Sequence, residues 1–594
     1  MSKPLSTYSR LYSLSILFLL ALSLTSNKLN AQNSVQNEIK NILTTLKEEP
    51  QFTVFSDSLM PLMYNRLDYQ EIWSDTSNIN DLLYCIQEAY HDGLNPEHYH
   101  LEIINKLLET HPRSPKEQAQ LDILLTDAGI LLSSHLIWGK VQPESISTTW
   151  NYDSKEFDGD RVELFLEPIQ GNLIKEAVEQ LKPKNELYVG LKKSLFEFRK
   201  IKENGGWHKL PKMENLEIGD ENDEIPFLRK RLATTSTLFR YDTTVLKIDT
   251  LLRTQTEGVT VVNSPSINPE IDTIRSVIPY SPIPYYDSSW VKVSYLDTLS
   301  RVFDENLKNS VIKFQKMYGL VQDGQVGKAT QKALNISIDD RINTLRINLE
   351  RTRWINHEEK DNFIFVNIPS FELYLHKNNS WYYQTKVIIG KPYHQTPVFK
   401  AKLSYIDINP TWTVPYSIAS KEMLPKLKKD ANYLSRNNMK LYDRSNKIVD
   451  ATTVDWKSIK TNNFPYTIVQ GSGPGNALGH VKFIFPNKYS IYLHDTPSRY
   501  LFSRNTRAFS HGCIRVYQPV KLASILLEDE KYTEKKINEI IKEGELKRVI
   551  IMHRPTVYLM YFTAILGPEE SIHFYEDVYS RDKRVLKQLD KKPY

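Results

Sequence analysis

The apolar residues of this chain change their period once, and that change limits what it can fold into. Through residues 36–214 they recur at helical spacing; from residue 363 onward they alternate or run together in short strand-like segments. The stretch 72–90 keeps a helical face and stops at His91-Asp92-Gly93. Leu121, Ile123, Leu124, Ala128, Leu131, Leu132 and Leu136 outline a second helix over 121–138. Phe363-Ile364-Phe365-Val366-Asn367, Glu372-Leu373-Tyr374-Leu375-His376 and residues 384–390 read as strands separated by turn residues. Helical and strand blocks segregated along 594 residues exceed one hydrophobic core and predict a multidomain α+β protein. With 40% hydrophobic and 25% charged residues, the composition is that of globular domains rather than a low-complexity chain.

The segments between these blocks are also legible. Residues 226–232 predict a short helix, and 241–299 are rich in threonine and proline. That stretch reads as an inserted loop or pair of strands, before helices resume at Phe303-Asp304 and again at 328–335. Residues 423–434 predict a helix that interrupts the strands. A polar section then runs to 463, so that about 416–463 reads as a lid. The apolar run 557–566 suits a buried strand. Lys3, Arg10 and the apolar run 14–24 make the first thirty-one residues a secretory leader, or a membrane anchor where it is not cleaved. Losing Lys3, Arg10 and Lys28 brings the formal charge of +5 close to neutral, which gives no argument for nucleic acid.

An exported chain with two cysteines raises the question of a disulfide. Cys85 shares a helical face with Leu82 and Ala89 and reads as a buried small hydrophobe, a bridge to Cys513 being the other reading. Cys513 lies in Ser510-His511-Gly512-Cys513-Ile514-Arg515-Val516, with His494 upstream in Ile491-Tyr492-Leu493-His494-Asp495-Thr496. A thiol becomes a nucleophile when an imidazole takes its proton; His494 and His511 are both candidates. Gly512 leaves room for close approach, and its N–H together with that of Cys513 can face an oxyanion. Arg515 can hold a substrate carboxylate or buttress the loop through backbone carbonyls. Tyr492 and Trp412 are pocket walls or core, and Asp495 is placed to orient His494. The cysteines are too few for a zinc site. His98, His100 and His135 are scattered and suit surface or capping roles. Gly471-Ser472-Gly473-Pro474-Gly475 lacks the lysine pattern of a phosphate loop.

Two resemblances add to this reading. Residues 304–335, through Val311-Ile312-Lys313-Phe314-Gln315, Gly319-Leu320, Asp323-Gly324, Val326-Gly327 and Ala333-Leu334-Asn335, resemble the three-helix peptidoglycan-binding-like domain. Residues 363–552 resemble the L,D-transpeptidase catalytic domain. The matching segments are Asn409-Pro410-Thr411-Trp412-Thr413-Val414-Pro415, residues 470–479, Lys482-Phe483, Tyr492-Leu493-His494-Asp495-Thr496-Pro497 and 510–516. Residues 557–564 with Phe574, Asp577 and Tyr579 resemble the tail of the long Gram-negative periplasmic members. The resemblance implies a leader over 1–31, a helical scaffold over 32–215 and a peptidoglycan-binding-like domain over 216–340 broken by 241–299. It also implies a mainly β catalytic domain over 355–553 with its lid, and an extension over 554–594.

The resemblance further implies a periplasmic enzyme without metal or cofactor. Cys513 attacks a tetrapeptide stem of peptidoglycan and His494 is the base. His511, Arg515, Tyr492 and Trp412 line the substrate site, and a neighbouring stem accepts the acyl group as a 3→3 cross-link. Carbapenem-type β-lactams are implied inhibitors, and other cell-wall enzymes possible partners. The same residues serve an L,D-carboxypeptidase, a D-amino-acid exchanger or a protein-anchoring enzyme, and a non-catalytic wall-binding protein is a further reading.

Overall fold

The computed structural model describes residues 34–45, 53–146, 150–151, 167–169, 171–213, 216–237, 241–251, 285–355, 362–378, 380–567 and 571–593. The expected leader and most of the threonine-rich insertion lie outside these residues. The chain divides into two compact units, one of residues 1–192, 345–562 and 577–594, the other of 193–344 and 563–576.

Helices open the first unit because their ends are chemically marked. Asp75 caps Thr76–Glu88, accepting from the Ser77 N–H at 2.8 Å. Ser114 and Glu117 form a reciprocal capping box on Pro115–Trp138. This second helix is long and apolar enough to cross a membrane, but 78% of its apolar window is buried, and it is the centre of a helical core. Cys85 packs in that core with Leu82 and Ile86, and burial pushes its thiol up to about 11. Both cysteines are free.

Polar groups buried along the same helix tie in the preceding chain. Asp122 accepts from the Trp73 N–H at 2.7 Å and the Tyr64 hydroxyl at 2.6 Å. Asp127 accepts from the Ser56 N–H at 2.8 Å and pairs with His100 Nε2 at 2.7 Å. His98, His100 and His135 are therefore not surface residues: all three are internal and hydrogen-bonded, His135 to the Tyr99 hydroxyl at 3.0 Å. A two-residue strand, β1 (Trp150–Asn151), leaves the helical region to join the main sheet described below.

The second unit holds the short helices Ile225–Thr234, Glu305–Met317 and Lys328–Leu334 around buried Leu228, Leu232, Leu307, Val311, Phe314 and Leu334. Asp304 caps the second helix through the Leu307 N–H at 2.8 Å. The segments flanking the insertion are joined: the Gly219 N–H donates to Phe303 O at 3.0 Å and the Phe303 N–H to Asp220 O at 2.8 Å. From this junction rises one antiparallel pair, β2 (Tyr241–Leu251) and β3 (Tyr285–Tyr295), in register throughout. Buried Arg231 and Arg341 donate to Leu334 O (3.0 Å) and Ala333 O (3.1 Å). They thus place two cations on the carbonyl end of Lys328–Leu334.

The first unit's large sheet carries the chemistry. Its strands are β1, β4 (Phe363–Asn367), β5 (Glu372–Lys377), β6 (Ser380–Gly390), β7 (Val398–Lys402), β8 (Tyr405–Ile408), β13 (Val481–Ile484), β14 (Leu493–His494), β15 (Ala508–Ser510), β16 (Ile514–Val516), β17 (Lys547–Ile550) and β18 (Thr556–Met560). They run in the order β1-β7-β18-β4-β5-β6-β16-β14-β13-β8-β17, with β15 beside β6. Every residue of β18 is buried, and the strand lies between β7 and β4. The first strand of the expected C-terminal extension is thus interior to the sheet, as a run apolar on both faces requires.

The lid differs from the single helix expected over 423–434. It is Tyr416–Ile418, a π-helical turn Ala419–Met423 and Leu424–Leu427 in one run, then a break at 428–432 before Tyr433–Arg436. The polar section after it adds strands β10 (Met439–Tyr442) and β11 (Ile448–Val449). These pair with β12 (Thr467–Gln470) and β9 (Trp412–Thr413) in a second sheet, ordered β11-β10-β12-β9. Leu424, Leu427, Leu434, Leu441, Trp456 and Phe464 give the lid its own core.

Candidate active site

One row of side chains crosses five strands of the large sheet. Arg548 stands opposite Asp407, Asp407 opposite Lys482, Lys482 opposite His494, and His494 opposite Arg515. Directly opposed residues share a face of a sheet. Tyr492 and Cys513 stand two positions before His494 and Arg515, and the Ile514 N–H still pairs with Tyr492 O at 3.1 Å. The strand period therefore brings Tyr492, His494, Cys513 and Arg515, which are separated in sequence, to one patch.

His494 is buried, and its Nδ1 lies 2.5 Å from Asp495 O. That carbonyl holds the ring's orientation. The Asp495 carboxylate serves elsewhere, accepting from Arg499 Nη1 and from the His480 N–H, each at 3.0 Å. Burial, then the charge of Arg515, push the imidazole down to about 3, against the carbonyls of Asp495 and Leu478. The ring is thus neutral near pH 7.

Cys513 is half-buried, and burial raises its thiol above the ordinary value. The backbone and hydroxyl of Tyr492 oppose that shift most, followed by the charges of Lys482 and Arg515. The Trp412 side chain hydrogen-bonds to the same Tyr492 hydroxyl, so both expected aromatic walls belong to the sulfur's surroundings. Among the described residues, Sγ is hydrogen-bonded to Tyr492 and to Ser490 O at 3.8 Å rather than to the imidazole. The Tyr492 and His494 rings lie 5.6 Å apart between centroids. Nucleophile–base contacts commonly tighten only around a substrate.

The loop that carries Cys513 is braced from below. Gly512 has φ +119°, which an L side chain rarely adopts. Its N–H donates to Ser510 Oγ at 3.1 Å and its carbonyl accepts from Thr396 Oγ1 at 2.8 Å. The Gly512 N–H, expected to face an oxyanion, is bonded here to Ser510 Oγ, whereas the Cys513 N–H has no hydrogen-bond partner among the described residues. Ser510 Oγ donates to Cys513 O at 2.5 Å, closing the turn. Tyr579 holds Thr396 in place, accepting from its N–H at 3.1 Å and donating to Gly390 O at 2.7 Å.

His511 faces outward. Its Nε2 meets Glu422 Oε1 of the π-helical turn at 2.6 Å, joining the loop to the lid. Arg515 is the opposite case. Its Nε is buried with no hydrogen-bond partner, no carboxylate pairs with it among the described residues, and burial lowers its pKa. Among the described residues, no backbone carbonyl accepts from Arg515 Nε. Ser510, Thr396, Tyr579, Glu422 and Lys482 complete the site beyond the expected residues. Ser510 and Lys482 stood inside the matching segments and Tyr579 in the matching tail, whereas Thr396 and Glu422 carry no local signal. No His/Cys/Asp/Glu cluster fit for a metal occurs among the described residues.

Comparison with known proteins matches three segments of the chain. Residues 361–542 match the model of the "L,D-transpeptidase catalytic domain", 58–195 the "Scaffold domain" and 291–334 the "Putative peptidoglycan binding domain". A Haemophilus influenzae protein named "Putative L,D-transpeptidase" is 37% identical over 241 residues, which cover 41% of this chain and 48% of that protein. The match thus spans about half the length of that relative. The crystal structure of an L,D-transpeptidase from Stackebrandtia nassauensis is 12% identical, with a TM-score of 0.18, over 45% of this chain and 82% of that one. By its matched segments, the chain carries an L,D-transpeptidase catalytic domain together with the scaffold and peptidoglycan-binding domains.

Proposed function

We propose that this chain is an exported peptidoglycan L,D-transpeptidase that forms 3→3 cross-links through a Cys513 thioester. The observation carrying this reading is the juxtaposition, on one sheet face, of a free thiol, a neutral buried imidazole and a half-buried arginine whose Nε has no partner among the described residues. His494 takes the proton from Cys513 as sulfur attacks the carbonyl of the donor's third residue. The oxyanion faces the Cys513 N–H. Arg515 holds the carboxylate of the terminal D-alanine. Collapse returns the proton to the leaving amine, releases D-alanine and leaves the acyl group on sulfur. The side-chain amine of a neighbouring stem then attacks the thioester, His494 takes its proton, and the thiol is restored. The thioester conserves the energy of the broken amide, so no nucleotide is consumed. The peptidoglycan-binding domain holds the enzyme on wall polymer in the periplasm.

Intact-protein mass spectrometry after meropenem, with Cys513→Ala and His494→Ala beside the wild type, tests the nucleophile. A covalent adduct is expected on wild type and none on Cys513→Ala; an adduct on the alanine variant refutes the assignment. Mass spectrometry of products from tetrapeptide-rich wall distinguishes cross-linking from hydrolysis, D-amino-acid exchange and attachment to a protein lysine. Wall binding by Cys513→Ala, with no adduct and no product from wild type, identifies a non-catalytic binder.

A further inference from the structure

Lys482 stands in the middle of the cross-strand row, and nothing in the proposed reaction uses it. Its neighbours on β13's two flanks are Asp407 and His494. Asp407 is engaged by the forked guanidinium of Arg548, at 2.8 and 3.1 Å. No ion pair to Lys482 occurs among the described residues. Its ammonium instead lies 4.1 Å from the centroid of the Tyr492 ring. A half-buried ammonium whose nearest carboxylate is already paired to another cation gains when negative charge develops nearby. The group through which such charge reaches it is the same ring, whose hydroxyl hydrogen-bonds to the Cys513 sulfur.

A cation on the face of a phenol is attracted by the ring's electrons. It also draws electron density from the hydroxyl, making that O–H a stronger donor. The Trp412 side chain hydrogen-bonds to the same oxygen and polarises it in the same sense. We propose that Lys482 is a positioning residue for the nucleophile, its ammonium acting through Tyr492 to stabilise the Cys513 thiolate. This rests on the reading of Cys513 as the nucleophile. The step itself is a proton transfer from sulfur to His494; the thiolate then accepts the strengthened Tyr492 hydrogen bond, and no further reactant is needed.

The charges that face the sulfur and the ammonium come from several elements. On the row they are Lys482, His494 and Arg515, with Asp407 and Arg548 beyond. Tyr500 acts on Arg515, and the lid adds Glu422 through His511. Burial pulls the lysine below its ordinary value, while Asp407 and the thiolate pull it up.

The test is the pH dependence of Cys513 alkylation by iodoacetamide on the full chain, read by mass on the Cys513 peptide so that Cys85 does not contribute. Lys482→Met is expected to move the inflection up by about one unit, a roughly tenfold loss of thiolate below both inflections. Lys482→Arg, which keeps the charge, is expected to stay near wild type. Tyr492→Phe is expected to raise the inflection, and Lys482→Met to add less in that background than alone. An unmoved inflection in folded Lys482→Met overturns the proposal, as does a shift in Lys482→Arg as large as that in Lys482→Met. Where Lys482→Met does not fold, an unmoved inflection in Tyr492→Phe overturns it, because the charge then has no route to sulfur. Meropenem acylation of wild type is read separately. Its failure, with the inflection still moving, rejects the transpeptidase reading and leaves the Lys482 role standing.

Discussion

A guanidinium nitrogen removed from water without a partner is a standing cost, and the Nε of half-buried Arg515 carries it beside a thiol. Such a charge is a site for an arriving anion. Arg515→Met is expected to raise the KM for a tetrapeptide donor by roughly 10- to 100-fold, the worth of a charge-assisted hydrogen bond. The melting temperature should hold or rise, since the unpaired charge is gone. A lower melting temperature with unchanged KM would make Arg515 structural, so steady-state kinetics and thermal melts are read together. Gly390 is constrained by space: a Cβ there would come 2.0 Å from His394 O and 2.9 Å from Thr396 N. Backbone atoms cannot yield as a side-chain end does. Gly390→Ala is expected to shift the Thr396 brace beneath Gly512 and slow meropenem acylation at least tenfold. Acylation at the wild-type rate would show that the brace does not set the loop.

At the scale of elements, the contact between lid and loop is light where it is best defined. The His511–Glu422 pair has partners 32% and 47% exposed, so it contributes on the order of 1 kcal/mol or less. The lid keeps its own apolar core and second sheet, so it need not unfold to move. Glu422→Gln is therefore expected to raise amide exchange in the Ala419–Met423 turn about two- to fivefold, with the Leu424 and Trp456 cluster still protected. Hydrogen exchange read by mass spectrometry checks this. Loss of protection across the whole lid would mean that the pair supports the lid's fold instead of closing it.

At the scale of the molecule, internal histidines set a pH dependence. Burial holds His98 down to about 4, and His135 and His494 down to about 3, from an ordinary 6.5. The unfolded chain takes these protons below pH 6.5 while the folded chain does not. Their stabilisation is thus present above pH 6.5 and is lost progressively as pH falls toward 4 and 3. Asp122, raised by burial to about 7 from 3.8, acts in the opposite sense: its contribution is present below 3.8 and lost as pH rises to 7. Three groups against one predict a melting temperature that falls between pH 6.5 and 4, and less steeply in His135→Gln. Melts across that range check the direction; a rise toward pH 4 would refute it.

The sequence by itself determined what is local. The helical period, the Asp304 cap, the Cys85 core position and the separate segments around His494 and around Cys513 with Arg515 are written in neighbouring residues, because caps and side-chain period act over a few positions. Tertiary structure alone decided the rest. Only strand pairing sets Lys482 against His494 and His494 against Arg515, and only folding brings Thr396 and Tyr579 beneath Gly512 or Glu422 onto His511. The Gly512 N–H, free on paper, is occupied by Ser510 because the turn closes on itself. The physical reason is range: hydrogen-bond partners far apart in sequence are chosen by the packed sheet, and no local pattern of residues records that choice.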